Sequence, residues 1–274
     1  MDITQEQIPW LNKDHPNYKK WKYARDISID RGKFVKSVIT NFSACKKLRI
    51  LDLGSGEGGT SAVLSENNEV VSFDISKIRL HRYAGSDCKN AVICGDALFM
   101  PFKEKSFDII ILQDVIEHLN NLERVINNLN KILSDGGIIY LSTPNKYSFI
   151  NFIADPHWGA PFVSLFKRQQ TKKYFLKYFR KSEANRKDIA ELLSLKKILN
   201  LFYKFFNVHL FTSHSVNELF KGNKGILWSN FHLILVKIAN GLKLNKIIIK
   251  IANDKAGFIN KFITPTLYFV LIKK

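Results

Sequence analysis

The chain has 274 residues, 46% of them hydrophobic, and a net charge of +18 from 42 Lys and Arg against 24 Asp and Glu; this suffices for a buried core in one large domain or a domain with an insertion. Its three cysteines, Cys45, Cys88 and Cys94, form no C-x-x-C pair and leave an odd count, which argues against a disulfide framework or a zinc site and suits a reducing compartment. The polar, acidic start and the lack of an apolar run of about 18 residues argue against a secretory leader or a spanning helix, so a cytoplasmic location is expected.

The basicity is uneven. Residues 1 to 145 hold 19 Lys and Arg against 18 Asp and Glu, whereas residues 146 to 274 hold 23 against 6. A nucleotide bias of the genome can produce such a Lys-rich chain; the functional reading is attraction to a phospholipid surface, a pyrophosphate-linked carrier or a nucleic acid.

In chain order, residues 1–47 read as an N-terminal helical segment. From Leu48 onward, short apolar runs alternate with helical patterns: 48–53, 69–73, 91–94, 107–112 and 138–142 have the length and β-branched content of strands. Residues 59–65, 78–84 and 122–133 fit crossover helices. The last carries apolar positions at helical spacing before Asp135, Gly136 and Gly137 stop it. Five such units predict an α/β fold with a doubly wound, mostly parallel sheet over 48–145 and a ligand at the C-terminal strand ends. Residues 146–193, aromatic and basic without a clear strand, predict a helical cap inserted after the fifth strand. Residues 194–274 then complete a seven-stranded sheet: Ser194 caps a helix through Tyr203, 206–212 alternates as a sixth strand, and 267–272 forms the seventh. A basic helical insertion, roughly 225–262, precedes that last strand.

Between the first strand and the next helix stands Asp52-Leu53-Gly54-Ser55-Gly56-Glu57-Gly58-Gly59, a loop whose glycines let the backbone turn tightly against a bulky ligand. Gly54, Gly56 and Gly59 also satisfy the dinucleotide G-x-G-x-x-G spacing, with Asp74 20 residues beyond Gly54, so spacing alone leaves a nicotinamide or flavin reading open. Asp52, two residues before the first glycine, favours a cationic ligand over a pyrophosphate. Gly95-Asp96-Ala97 adds a carboxylate after the third strand, and Gln113-Asp114-Val115-Ile116-Glu117-His118 ends the fourth.

Taken together, LDLGSGEG, VSFDIS, GDALFMPFKEKSFDIIILQDVIEHL and LSDGGIIYLSTPN resemble the successive motifs of class I (Rossmann-like) S-adenosylmethionine-dependent methyltransferases over about residues 48–145. The resemblance implies that S-adenosyl-L-methionine is the cofactor, with S-adenosyl-L-homocysteine as product. It implies that Asp52, Gly54, Ser55, Gly56 and Gly58 line the methionine end, that Asp74, followed by Ile75, accepts the ribose hydroxyls, and that Asp96 with Ala97 holds the adenine. Gln113 would lie under the sulfonium region.

Methyl transfer to an oxygen is an in-line displacement that rests largely on alignment, and no metal is required in principle. Residues 113–116 lack the Asn/Asp-Pro-Pro-Tyr or Pro-Cys signatures of base methylation. Glu117-His118 with Ser142-Thr143-Pro144-Asn145 resembles the small-molecule branch that includes quinone O-methyltransferases, and the stretch through Asp155-Pro156-His157-Trp158 is similar to methyltransferases encoded with glycan-assembly enzymes. A small-molecule, sugar or lipid-linked hydroxyl is therefore the expected acceptor. A nucleic-acid methyltransferase using the basic half, and a cofactor-binding protein without catalysis, are the alternatives. A hydroxyl needs its proton removed, for which His118 is the first candidate and His157 the second, with Asn145 as an acceptor contact. Glu117 is not expected to orient His118, because successive helical residues point about 100° apart. Within 225–262, Trp228, Phe231, Leu233, Ile234 and Leu235 alternate with lysines 237, 243, 246, 250, 255 and 261, a pattern suited to peripheral attachment at an anionic inner-membrane face; packing on the sheet or in a homodimer is the other reading.

Overall fold

The structure is a computed structural model that describes residues 13, 14, 16, 18, 19, 22, 27–44, 46–84, 90–186, 188–226 and 230–274. Cys45, Cys88, Trp228 and much of the N-terminal segment, including residues 1–12, lie outside the described residues, as does the Phe231 side chain; Cys94 is a free, exposed thiol.

Seven strands form one sheet: β1 Arg49–Leu53, β2 Glu69–Asp74, β3 Ala91–Cys94, β4 Phe107–Gln113, β5 Leu133–Pro144, β6 Phe206–Leu210 and β7 Thr266–Lys273. Their spatial order is β3-β2-β1-β4-β5-β7-β6. The first five run parallel, and β7 lies antiparallel to both β5 and β6. The order reverses between β1 and β4, the switch point beyond which open α/β sheets hold their ligands. Described helices are α1 Ser28–Ile39, α2 Gly59–Leu64, α3 Lys77–Ala84, α4 Leu122–Ile132, α5 Phe149–Ile153, α6 Leu195–Phe202, α7 Thr212–Phe220, α8 Asn230–Gly241 and α9 Asn245–Ile251.

The central strands are apolar over most of their length because both faces are covered, with Asp52 and Ser72 as buried polar exceptions. Side chains alternate across a strand. Ile110 and Leu112 therefore join the cluster with Val125, Ile126, Leu129 and Ile132 of α4, while Ile109 and Ile111 join Phe34, Val35, Val38 and Ile39 of α1 on the other face. The α1 helix crosses α2 at a contact only glycines allow. A Cβ on Gly32 would stand 2.9 Å from the Thr60 Cα, and one on Gly59 would stand 2.5 Å from the Ser28 Cβ. This approach brings Arg31 of α1 into an ion pair with Asp114 beyond β4.

Several expected boundaries shift. The α4 helix ends at Ile132, ahead of the Asp-Gly-Gly stop, and β5 begins at Leu133. The register passes from Phe107↔Leu133 to Ile109↔Ile138, so residues 134–137 bulge out of the ladder, with Gly136 at φ +69°. The sixth strand stops at Leu210, and the unforeseen α7 follows. The Ser194 cap forms as expected, its Oγ accepting from the Lys197 N–H. The cap insertion contains short helical pieces: α5, Val163–Leu165, and a run of Arg168–Gln170, Thr171–Leu176 and Lys177–Phe179 whose middle part is π-helical. Arg168 fixes it to the exit of β4, donating to the carbonyls of Ile189 (2.7 Å), Glu117 (3.1 Å) and Leu119 (3.3 Å).

Asn145, expected to touch an acceptor, has another task. It is fully buried, and its Nδ2 lies within hydrogen-bond distance of the carbonyls of Asn260 (3.1 Å), Lys261 (3.1 Å) and Thr264 (3.0 Å). Asn151 Nδ2 donates to the Asn145 carbonyl (2.9 Å) and to that of Pro265 (2.8 Å). These two amides tie the start of the cap to the turn before β7. Asn145→Ala should lower the unfolding free energy by about 2 kcal/mol. A urea midpoint unchanged from wild type would contradict this brace.

Candidate active site

Four carboxylates gather at the C-terminal ends of β1, β2 and β4, all shielded from water. Asp52, Asp74 and Glu117 are 2%, 5% and 1% exposed, and the Asp114 side chain is 7% exposed. The Asp74 Oδ1 accepts from the Ser76 N–H (2.7 Å) and its Oδ2 from the Gly56 N–H (2.9 Å), which fixes the glycine loop over the end of β2. Asp52 accepts from Ser61 Oγ (2.6 Å), which in turn accepts from Ser72 Oγ (2.7 Å). Its carboxylate is therefore held in the interior at the end of β1 by the first residues of α2. Burial, only partly offset by Ser61 and reinforced by neighbouring Asp74, pushes the Asp52 carboxyl up to about 6.

Glycine is required in this loop for two different reasons. A Cβ on Gly54 would come 2.3 Å from Val115 Cγ2, so the chain can pass the exit of β4 only without a side chain. Gly56 meets nothing nearer than 4.0 Å but holds φ +56°, a left-handed backbone. Beside them, Ser55 Oγ is buried with no hydrogen-bond partner among the described residues. Ile75 and Phe99 expose 63% and 66% of their surfaces beyond β2 and β3. Asp96 is exposed and caps the turn Ala97–Phe99, its Oδ1 accepting from the Leu98 N–H (2.9 Å) while Ala97 is buried. Gln113 Oε1 accepts from Thr60 Oγ1 (2.8 Å). An unpartnered hydroxyl in a glycine cradle, acids nearby and two exposed apolar side chains fit the polar, cationic methionine end and flat adenine of S-adenosylmethionine.

The acceptor side is built where β4 ends and the cap returns. His118 Nδ1 lies 2.5 Å from Asp188 Oδ1, a residue of the cap. His157, on the turn after α5, stacks edge-on against His118 with ring centroids 5.1 Å apart. His157 Nε2 stands 3.8 Å from Glu117 Oε1, and Glu117 Oε2 accepts from Thr143 Oγ1 (2.9 Å). The two histidines expected at the acceptor therefore meet in space. As expected, Glu117 does not orient His118; Asp188 does, and no motif marks it, because only folding of the cap brings it near. Burial pushes the Glu117 carboxyl up to about 7, with His118 opposing and Asp114 adding to the shift. Burial disfavours the His118 imidazolium, but Asp188 outweighs it and His118 titrates above its ordinary value. Asp114, at φ +58°, accepts from Ser142 Oγ (3.0 Å) besides its ion pair with Arg31.

Residues 51–141 match the protein family described as methyltransferase domain. An uncharacterized protein of Methanocaldococcus jannaschii is 29% identical over 143 residues, 52% of this chain and 60% of its own length. A ubiquinone biosynthesis O-methyltransferase of Pelagibacter ubique is 29% identical over 138 residues, 46% of this chain and 58% of its own. The chain thus spans less than two thirds of these curated relatives. In fold, it is similar to a SAM-dependent methyltransferase from Thermotoga maritima, with TM-score 0.55 and 16% identity over 98% of this chain and all of that one. The fold is that of SAM-dependent methyltransferases, and within it residues 51–141 match a methyltransferase domain.

The shifted Asp52 gives a signed expectation. Below pH 6 its carboxyl is mostly protonated and above it mostly ionised, so attraction for the ligand's ammonium rises with pH. Calorimetry should show S-adenosylmethionine binding about tenfold more tightly at pH 7.5 than at pH 5, about 1.4 kcal/mol, and Asp52→Asn should flatten the profile. Equal affinity at both pH values in the wild type would contradict it.

Proposed function

We propose that this chain transfers the methyl group of S-adenosylmethionine to a hydroxyl oxygen of a small-molecule or lipid-linked acceptor. The observation that carries the reading is the pairing, at one sheet edge, of the glycine cradle with the His118–Asp188 couple and His157. When bound, the cofactor supplies a methyl group already activated by its sulfonium. The chain's tasks are then alignment and care of the hydroxyl proton. Gly54 and Gly56 admit the cofactor, Ser55 offers it a hydroxyl, and Asp74, held by two backbone N–H groups, faces the ribose. On the other side Asp188 fixes His118, which orients the acceptor hydroxyl and manages its proton, with His157 beside it.

The surface favours a lipid-linked one. Ile234 and Ile238 of α8 are 54% and 51% exposed, and Ile247 and Ile251 of α9 are 57% and 48% exposed. Lys237, Lys243, Lys246, Lys250, Lys255 and Lys261 are exposed among them. At the start of the cap, Phe149 of α5 stacks on Phe262 at 6.0 Å. No helix among the described residues is long and apolar enough to cross a membrane, so attachment would be interfacial, through buried isoleucines and lysine contacts to lipid phosphate.

Two measurements test the reading. His118→Ala should lower turnover about 10² to 10⁴-fold while leaving S-adenosylhomocysteine affinity unchanged; near-normal turnover in both His118→Ala and His157→Ala would remove these residues from the chemistry. Anionic vesicles should carry the protein up a density gradient at low salt and release most of it at high salt. Absence from the vesicle fraction at low salt would end the membrane assignment.

A further inference from the structure

Glu117, His118 and His157 place one carboxylate oxygen and two ring nitrogens within 4.8 Å of one another. Glu117 is 1% exposed, and its Oε1 has no hydrogen-bond partner among the described residues. The 3.8 Å to His157 Nε2 is too long for a hydrogen bond. A carboxylate oxygen left this way in the interior is costly unless it is protonated or a cation completes it. The second observation concerns His118: with Nδ1 committed to Asp188 at 2.5 Å, the lone pair left for a ligand is on Nε2. Histidines that ligate metals commonly give their other ring N–H to a carboxylate in this way, which fixes the tautomer and raises basicity.

We propose that Glu117, His118 and His157 form a binding site for one divalent first-row transition ion, with Asp188 as the outer partner of His118. Two imidazole nitrogens and one carboxylate oxygen suit Mn²⁺, Fe²⁺, Co²⁺ or Zn²⁺, whereas Ca²⁺ and Mg²⁺ take sets of oxygens. Three protein ligands leave positions open. Ligand bonds of about 2.0–2.2 Å put donor atoms about 3.0–3.5 Å apart, so the cluster has to close by about an ångström. Rotation of His157 supplies this: its turn is pinned at the backbone, where the His157 and Trp158 N–H groups donate to Asp155 Oδ1 at 2.8 Å each, while its ring is partly exposed. The His118 and His157 side chains are 26% and 17% exposed, whereas Glu117 is buried.

The use of such an ion rests on the methyl-transfer reading: at an open position it would bind the acceptor's oxygen and lower the pKa of the hydroxyl. The site itself can be tested without turnover. Untagged full-length protein, stripped by chelator, is titrated with Co²⁺ and followed by visible absorption and calorimetry, with Mg²⁺ in parallel. One equivalent of Co²⁺ should bind, develop a ligand-field band, and be displaced by Zn²⁺ but not by Mg²⁺. His157→Ala and Glu117→Gln should weaken Co²⁺ at least about 100-fold, and Asp188→Asn by about 10 to 100-fold. All three variants should keep wild-type affinity for S-adenosylhomocysteine, which also reports their folding. The proposal is overturned if wild-type protein that binds S-adenosylhomocysteine takes up neither Co²⁺ nor Zn²⁺ saturably, or if His157→Ala binds Co²⁺ as tightly as wild type. Wild-type protein that binds Co²⁺ but no S-adenosylhomocysteine would instead refute the cofactor reading and leave the metal site standing.

Discussion

Burial of four carboxylates along one sheet edge imposes a condition that the surrounding structure meets unevenly. Asp74 is satisfied by two backbone N–H groups, Asp52 by one hydroxyl, and Asp114 by Arg31 and Ser142. Glu117 has Thr143 for one oxygen and no hydrogen-bond partner among the described residues for the other. An ionised carboxylate in the interior is tolerated only when paired or hydrogen-bonded, and otherwise its pKa rises. Burial raises the carboxyls of Asp52, Glu117 and Asp114 alike, even where Arg31 and Ser142 oppose it at Asp114. A site of this kind favours cations on both sides: a sulfonium and ammonium near the glycine loop, and a metal ion where the histidines meet.

The fold serves this edge in ways that look unrelated until the side chains are placed. The close crossing at Gly32 and Gly59 lets α1 reach the switch point, and Arg31 is what it delivers there. Arg168 fastens the cap to the carbonyls of Glu117 and Leu119, and the same segment returns Asp188 to His118. The Asn145 and Asn151 amides lock the end of β5 to the turn before β7. The acceptor side therefore depends on three remote segments, whereas the cofactor side is almost wholly local to β1, β2 and β3.

That difference decides what could be read in advance. The sheet was legible because strands covered on both faces are mostly apolar, and the glycine loop because a left-handed backbone and a 2.3 Å approach admit little else. His118 and His157 stood out by residue type and position after β4 and β5. Asp188 did not, since an isolated Asp in a basic stretch carries no local signal and its role exists only once the cap folds back. Asn145 misled for a related reason: a polar residue after a strand end reads as exposed, yet here backbone carbonyls from residues 260–264 close over it. The bulge at 134–137 was misread as a helix stop because Asp-Gly-Gly suits either turn.

The most direct test of the account is transfer of label from methyl-labelled S-adenosylmethionine, in the presence and absence of Mn²⁺ or Co²⁺, into separated lipid, soluble-sugar and RNA fractions from the source cells. The account predicts label in the lipid or sugar fraction, stable to mild base as an ether is, and lost in the absence of active protein. Label confined to RNA, or no enzyme-dependent label in any fraction from protein that binds the cofactor, would contradict it.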